Sequence, residues 1–149
     1  MKYYFFFGGM FSNWFPSYFT VDGILYNCGE QYMMYQKAVL FGDKESAKQI
    51  MCERDPAWQK QLGRKVKGFD KAEWDKVKYD IVKKGLREKF FQNPGCKDLL
   101  NACKDRIIVE ASPTDRIWGI GYYAKDAMKN RANWGENLLG KILTELANE

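Results

Sequence analysis

From Asp70 to Phe91 the chain carries one glycine and no proline behind an Asp70-Lys-Ala-Glu73 capping box. This stretch predicts one long helix. Trp74, Val77, Ile81 and Gly85 recur along it at three- and four-residue steps and form its apolar stripe. Its Lys, Arg and Glu positions are read as a solvated face. A helix with a single apolar stripe has to be covered by other elements, and the punctuation of the remaining chain says which.

Residues 3–7 are a short aromatic run suited to a buried strand. Gly8-Gly9 ends it, and Pro16 keeps the following loop irregular. Residues 18–21 and 24–26 read as two strands about Asp22-Gly23, a strong two-residue hairpin signal. Helices are expected over 30–41, closed by Gly42, over 43–53, and for a short run from Pro56. Asn93-Pro94-Gly95 punctuates before another short helix to residue 102. Residues 106–110 are the clearest internal strand, and 111–123 a loop. A capping box at Asn133-Trp-Gly-Glu136 opens the terminal helix, with Leu138, Leu139, Ile142, Leu143 and Leu146 facing the core. No repeat or flexible linker divides the chain. The expectation is one domain over residues 1–149, of the α+β class, mainly helical with a few short antiparallel strands.

Composition narrows the chemistry. The 149 residues hold 24 Lys and Arg against 19 Asp and Glu, a net charge of +5, and no histidine. Ser-His-Asp and Cys-His nucleophiles, HExxH zinc sites and imidazole bases are therefore excluded. Proton transfers fall to Asp, Glu, Lys, Tyr or Cys. Cys28, Cys52, Cys96 and Cys103 show no Cys-x-x-Cys spacing, so no metal site is expected and all four are read as small, reduced core residues. No apolar run has the length of a signal peptide or a membrane span, which reads as a soluble cytoplasmic chain without a membrane partner. The charge suits an anionic small ligand or weak nucleic-acid contact.

Four clusters can carry chemistry. In Gly29-Glu30-Gln31-Tyr32-Met33-Met34-Tyr35-Gln36-Lys37-Ala38, Glu30, Met34 and Lys37 share one helical face. The plain alternative is a helix-start carboxylate favoured by the macrodipole, with Lys37 solvated. Asp115 and Trp118 lie three apart in the loop after a strand, where one turn can present both to a cavity, or where they are a turn aspartate and a core tryptophan. Arg64, Lys65 and Lys67, flanked by Gly63 and Gly68, form either an anion clamp or a solvated basic loop, and Trp74 follows as core residue or base platform. In Phe11-Ser12-Asn13-Trp14, Asn13 can read a ligand hydroxyl or base edge, or make an Asx-turn.

Taken in order, these clusters resemble the NADAR/YbiA-like family. Phe11-Ser12-Asn13-Trp14, Gly29 to Ala38, Gly63 to Phe69 with Trp74, Ala111-Ser112-Pro113 through Asp115 and Trp118-Gly119-Ile120-Gly121 carry the likeness. Asn133-Trp134 and Asn137-Leu138-Leu139-Gly140 complete it, across nearly the whole chain. One departure is Gly29 after Cys28, where a small polar residue is usual. The resemblance implies an N-glycosidase of a ribosylated base, with function on Glu30, Trp74, Asp115 and Trp118. Ribosylaminopyrimidine phosphates of riboflavin biosynthesis are one implied substrate class, and ADP-ribosyl-guanine in nucleic acid is another.

On that footing Glu30 and Asp115 are the expected catalytic carboxylates, since an oxocarbenium-like sugar needs no imidazole. Trp74 and Trp118 would sandwich the base, Asn13 would contact the ligand, and Arg64, Lys65 and Lys67 would hold phosphate. Lys37 is an ion-pair partner of Glu30 or, if desolvated, a Schiff-base former. No cofactor and no obligate protein partner is expected. The competing class is a non-catalytic module that binds NAD or ADP-ribose.

Overall fold

The computed structural model describes residues 2–149. It contains β1 (Tyr3–Phe6), β2 (Phe19–Val21), β3 (Ile24–Tyr26), α1 (Gly29–Leu40), α2 (Lys44–Cys52), α3 (Pro56–Arg64), α4 (Lys71–Gln92), α5 (Pro94–Ala102), β4 (Ile107–Glu110), α6 (Ala124–Ala127) and α7 (Leu138–Ala147), with a 3₁₀ turn at Met128–Asn133. Helices dominate, as the α+β reading expects. The chain divides into two compact units, Asn13–Asn93 and the pair of segments Met1–Ser12 and Pro94–Glu149.

In the Asn13–Asn93 unit the hairpin turn has the geometry its sequence asks for. Asp22 and Gly23 have φ of 49° and 82°, and β2 pairs antiparallel with β3 from Phe19↔Tyr26 to Val21↔Ile24. Phe19, Val21, Tyr26 and Tyr32 form a buried cluster against which Ile24, Tyr35, Met51 and Ile81 pack. α2 is capped by Asp43, which accepts from the Ser46 amide at 3.0 Å, and α3 by Asp55, which accepts from Ala57 at 2.8 Å. Asp70 caps α4 through the amides of Ala72 and Glu73.

α4 meets α1 where Gly85 faces Tyr32. A β-carbon at Gly85 would stand 2.2 Å from Tyr32 Cε2, and the Tyr32 hydroxyl donates to the Ile81 carbonyl at 2.7 Å. The buried side of α4 runs through Trp74, Lys78, Val82, Gly85, Leu86, Lys89 and Phe90. Its cations are thus not all solvated, contrary to expectation. Lys78 is buried and reaches Asp75 at 2.7 Å, and Lys89 is wholly enclosed. The alkyl stems of these side chains fill apolar space, which a count of charges along the helix does not reveal.

In the other unit β1 pairs with β4 in parallel, in register from Tyr3↔Ile107 to Phe6↔Glu110. Antiparallel pairing was expected throughout. The chain between these strands is a long helical crossover, which permits the parallel arrangement that no tight turn could provide. Val109, Ala111, Ile120 and Ala127 are buried here, with Tyr3, Phe5, Tyr122 and Trp134 packed on them.

The terminal helix starts at Leu138, after Asn137 with φ of 53°, and not at the Asn133–Glu136 box. The amides that would have opened a helix earlier are already engaged. Gly135 N donates to Ile120 O at 2.9 Å, Glu136 N to Arg116 O at 2.7 Å and Asn137 N to Gly119 O at 3.1 Å. The Asn137 side chain instead bridges β4, accepting from Glu110 N at 3.0 Å and donating to Ile108 O at 3.2 Å.

All four cysteines are free thiols. Cys28, Cys96 and Cys103 are buried as expected, but Cys52 is exposed, because it ends α2 on the side away from buried Ala47 and Ile50. Among the described residues no helix is long and apolar enough to cross a membrane.

Candidate active site

Glu30 occupies the first turn of α1 and is 5% exposed. Its amide donates to Asn13 O at 2.8 Å, and its Oε1 accepts from Trp14 Nε1 at 3.0 Å. The Asn13-Trp14 segment therefore grips both the backbone and the carboxylate of one residue. A helix N-terminus already favours a negative charge there, and an indole N–H adds an aimed donor.

Asn13 packs against α1 because position 29 lacks a side chain. A β-carbon on Gly29 would stand 2.5 Å from Asn13 Oδ1 and 3.2 Å from its Cα. That close approach accounts for Gly29 preceding the glutamate. Asn13 is itself 7% exposed, and its Oδ1 is a buried acceptor with no hydrogen-bond partner. Such an atom is costly unless something outside the fold satisfies it.

The residues on either side of Glu30 tie the start of α1 to neighbouring elements. Cys28 is the N-cap of α1, and its thiol donates to Gln59 Oε1 at 3.2 Å. Burial pushes this thiol up to about 11, the Glu30 charge adding to the effect and Lys89 opposing it, so it stays protonated and is no nucleophile. Gln59, fully buried, also donates to Asn27 Oδ1 at 3.1 Å and Glu53 O at 2.7 Å. Gln31 donates to Ile50 O at 3.1 Å and accepts from Asn27 N at 2.8 Å, tying α1 to α2.

Lys37, two turns along α1, lies over the Phe69 ring with Nζ 4.5 Å from the centroid. Burial lowers its pKa below the ordinary lysine value; the Glu30 charge opposes this and the Arg64 guanidinium reinforces it. Glu30, Lys37 and Arg64 thus share one electrostatic neighbourhood. Arg64, Lys65 and Lys67 are exposed. Their loop is anchored, since Lys67 N donates to Asp43 Oδ2 at 2.8 Å and Lys65 N to Leu62 O at 3.1 Å.

Trp74 sits in the first turn of α4 and is 7% exposed, which leaves little ring face for a base. Trp14, by contrast, is 44% exposed beside Glu30, with Lys60 Nζ 6.0 Å from its ring centroid. The Phe11-Ser12-Asn13-Trp14 motif contains this residue, but its sequence alone assigns Trp14 no role. Lys89, one turn beyond Gly85 on the same face of α4, is buried and acts on the Cys28 thiol.

Asp115 and Trp118 belong to the unit built on β1 and β4. Asp115 Oδ1 accepts from the amides of Ile117 and Trp118, both at 2.9 Å. This is the turn aspartate of the plainer reading, and it fixes the backbone that carries half-buried Trp118. Among the described residues no three His, Cys, Asp or Glu side chains converge as a metal set would.

The chain is thus a mainly helical α+β protein with a buried carboxylate held at the start of a helix. A family model of the NADAR domain matches residues 5–149, and the chain belongs to that family. It is 44% identical to an N-glycosidase of Acanthamoeba polyphaga mimivirus, over 99% of this chain and 96% of that one. It is 31% identical to the N-glycosidase YbiA of Escherichia coli, over 93% of this chain and 79% of that one. The solution NMR structure of E. coli YbiA superposes with a TM-score of 0.80 at 28% identity, covering 98% of this chain and 83% of that one. A riboflavin biosynthesis protein of Vibrio vulnificus is 28% identical over 95% of this chain but 35% of its own length.

Proposed function

We propose that this chain is an N-glycosidase that hydrolyses the bond between a ribose and a base-like amine, with ribosylaminopyrimidine phosphates of riboflavin biosynthesis as its substrate class. The observation that carries this reading is the Glu30 carboxylate, buried at the start of α1 and oriented by Trp14. Relatives named N-glycosidase and a riboflavin biosynthesis protein support it.

In this reading Glu30 takes a proton from water, whose oxygen bonds to the anomeric carbon as the C–N bond breaks. The bonding pair leaves on the base nitrogen, to which Glu30 returns the proton. The carboxylate also stabilises the oxocarbenium-like sugar between these events. Asn13 Oδ1 accepts from a sugar hydroxyl, which satisfies its buried acceptor. Arg64, Lys65 and Lys67 hold the phosphate. Within their own unit Asp115 fixes the turn that carries Trp118, and Trp74 is assigned to the core. Lys37 is the ion-pair partner of Glu30, and its desolvation also favours a neutral amine able to form a Schiff base with an opened sugar.

A second reading, removal of ADP-ribose from guanine in nucleic acid, is favoured by the exposure of all three loop cations, which suits a ligand extending beyond the site. Incubation with the ribosylaminouracil phosphate, and in parallel with an ADP-ribosyl-guanine oligonucleotide, followed by mass spectrometry, separates them. Release of ribose 5-phosphate in the first, absent with Glu30→Gln, supports the primary reading. Cleavage of the oligonucleotide alone replaces it with the second. Binding of ADP-ribose without turnover of either substrate overturns both in favour of a non-catalytic module.

A further inference from the structure

Trp14 combines two properties that seldom meet in one side chain. Its Nε1 donates at 3.0 Å to the Oε1 of a carboxylate that is itself 5% exposed, yet the residue is 44% exposed. Buried tryptophans close their indole N–H on a fixed partner, and surface ones leave it in water. Here the N–H points inward to Glu30 while 44% of the residue's surface is exposed. Lys60, on α3, holds its Nζ over the ring at 6.0 Å from the centroid, where it would meet the edge or phosphate of a stacked nucleotide, and the anchored cations of the 64–67 loop follow on the same chain segment.

We infer that Trp14 is both the platform on which the base of the substrate stacks and the positioning residue for Glu30. A flat base laid on this ring is placed within reach of the carboxylate by a single rigid side chain, so stacking and carboxylate orientation are set together. A phenylalanine could do the first task and not the second; a leucine could do neither. This assignment rests on the N-glycosidase reading and adds a specificity residue to it.

Other charged and titratable groups bear on Glu30 and stay constant across Trp14 variants. They are Lys37 on the same helix and Cys28 at the N-cap, which in turn feel Arg64 on α3 and Lys89 on α4 respectively. The indole N–H favours the ionised carboxylate, so its removal moves the acid limb of kcat/KM toward higher pH.

The test uses Trp14→Phe and Trp14→Leu in the full chain. Trp14→Phe is expected to keep KM within about threefold, to lower kcat by about tenfold and to raise the acid limb, as loss of one charge-assisted hydrogen bond predicts. Trp14→Leu is expected to raise KM by about tenfold as well, the scale of one lost base stack. A binding arm needs no turnover: the wild type should prefer GMP to ribose 5-phosphate, Trp14→Phe should keep that preference and Trp14→Leu should lose it. An unmoved acid limb and kcat in Trp14→Phe overturn the positioning role. A GMP preference retained in Trp14→Leu overturns the stacking role. If the wild type cleaves no ribosylated base, the enzyme reading fails, and the GMP comparison still decides whether Trp14 stacks a base.

Discussion

Asn13 rests on Gly29 so closely that a β-carbon there would stand 2.5 Å from its side-chain oxygen and 3.1 Å from its Cγ. Part of this clash is with the Asn13 backbone at 3.2 Å, which no rotamer change relieves. Gly29→Ala is therefore expected to lift the Asn13-Trp14 segment off α1. It should cost about 1–3 kcal/mol in urea unfolding, the usual range for overpacking. Turnover should fall far more than a stability loss of that size explains. Asn13→Ala offers the contrast: it deletes an acceptor that is buried without a partner, so stability should hold or rise while KM increases. Equal stability losses in the two variants would argue that Asn13 serves packing.

Glu30→Gln keeps shape and removes charge. Turnover should fall by at least about a hundredfold, as for loss of a general acid–base group. Because the Glu30 charge pushes the Cys28 thiol up, thiolate absorbance from Cys28, read against a Cys28→Ser control, should appear at lower pH in this variant. A thiol titration identical to wild type would separate the two groups electrostatically.

Lys37 has a folded pKa lowered by burial. The unfolded chain then binds more protons just below pH 10.5, so stability rises with pH through that window. The stability of wild type relative to Lys37→Met should therefore improve as pH rises toward 10.5, and a flat difference would contradict the burial. Borohydride added during turnover reads the chemistry directly. A sugar adduct on Lys37 marks a Schiff base, and its absence with turnover intact leaves the ion-pair role.

Asp43 has its pKa lowered to about 2, chiefly by the Lys67 amide and then by the Ser46 hydroxyl and amide. A depressed carboxylate contributes stability that is complete above its unfolded value of 3.8 and is lost as pH falls through about 2. The melting temperatures of wild type and Asp43→Ala should thus differ at neutral pH and converge across that acid range. The same variant should weaken phosphate binding, because Asp43 holds the loop that bears Lys65 and Lys67.

Much of the scaffold was legible because its signals are local. Asp22-Gly23, Asp43, Pro56 and Asp70 each act within a few residues, and each stands where its chemistry predicts. The parallel pairing of β1 with β4 was not legible, since nothing within either strand encodes the direction of a partner a hundred residues away. The start of α7 was misplaced because the amides of Gly135 to Asn137 bond to the 116–120 loop, a choice made by tertiary structure. Glu30 was visible as a helix-start carboxylate, but its burial and its indole partner were not. Trp74, expected as a core residue or a base platform, is 7% exposed, and Trp14, for which the sequence suggests no role, is 44% exposed. A tryptophan in sequence does not say which way its face is turned.

The split of one unit between the two ends of the chain bears on synthesis. As the protein leaves the ribosome, Asn13–Asn93 is complete well before β4 exists. Through that interval β1, a run of tyrosines and phenylalanines, has emerged without the strand it pairs with. An aromatic strand with an unsatisfied edge is a template for association with other chains. Pauses in translation between residues 93 and 107 should therefore favour aggregation, and the opening strand is where a nascent-chain chaperone would be needed.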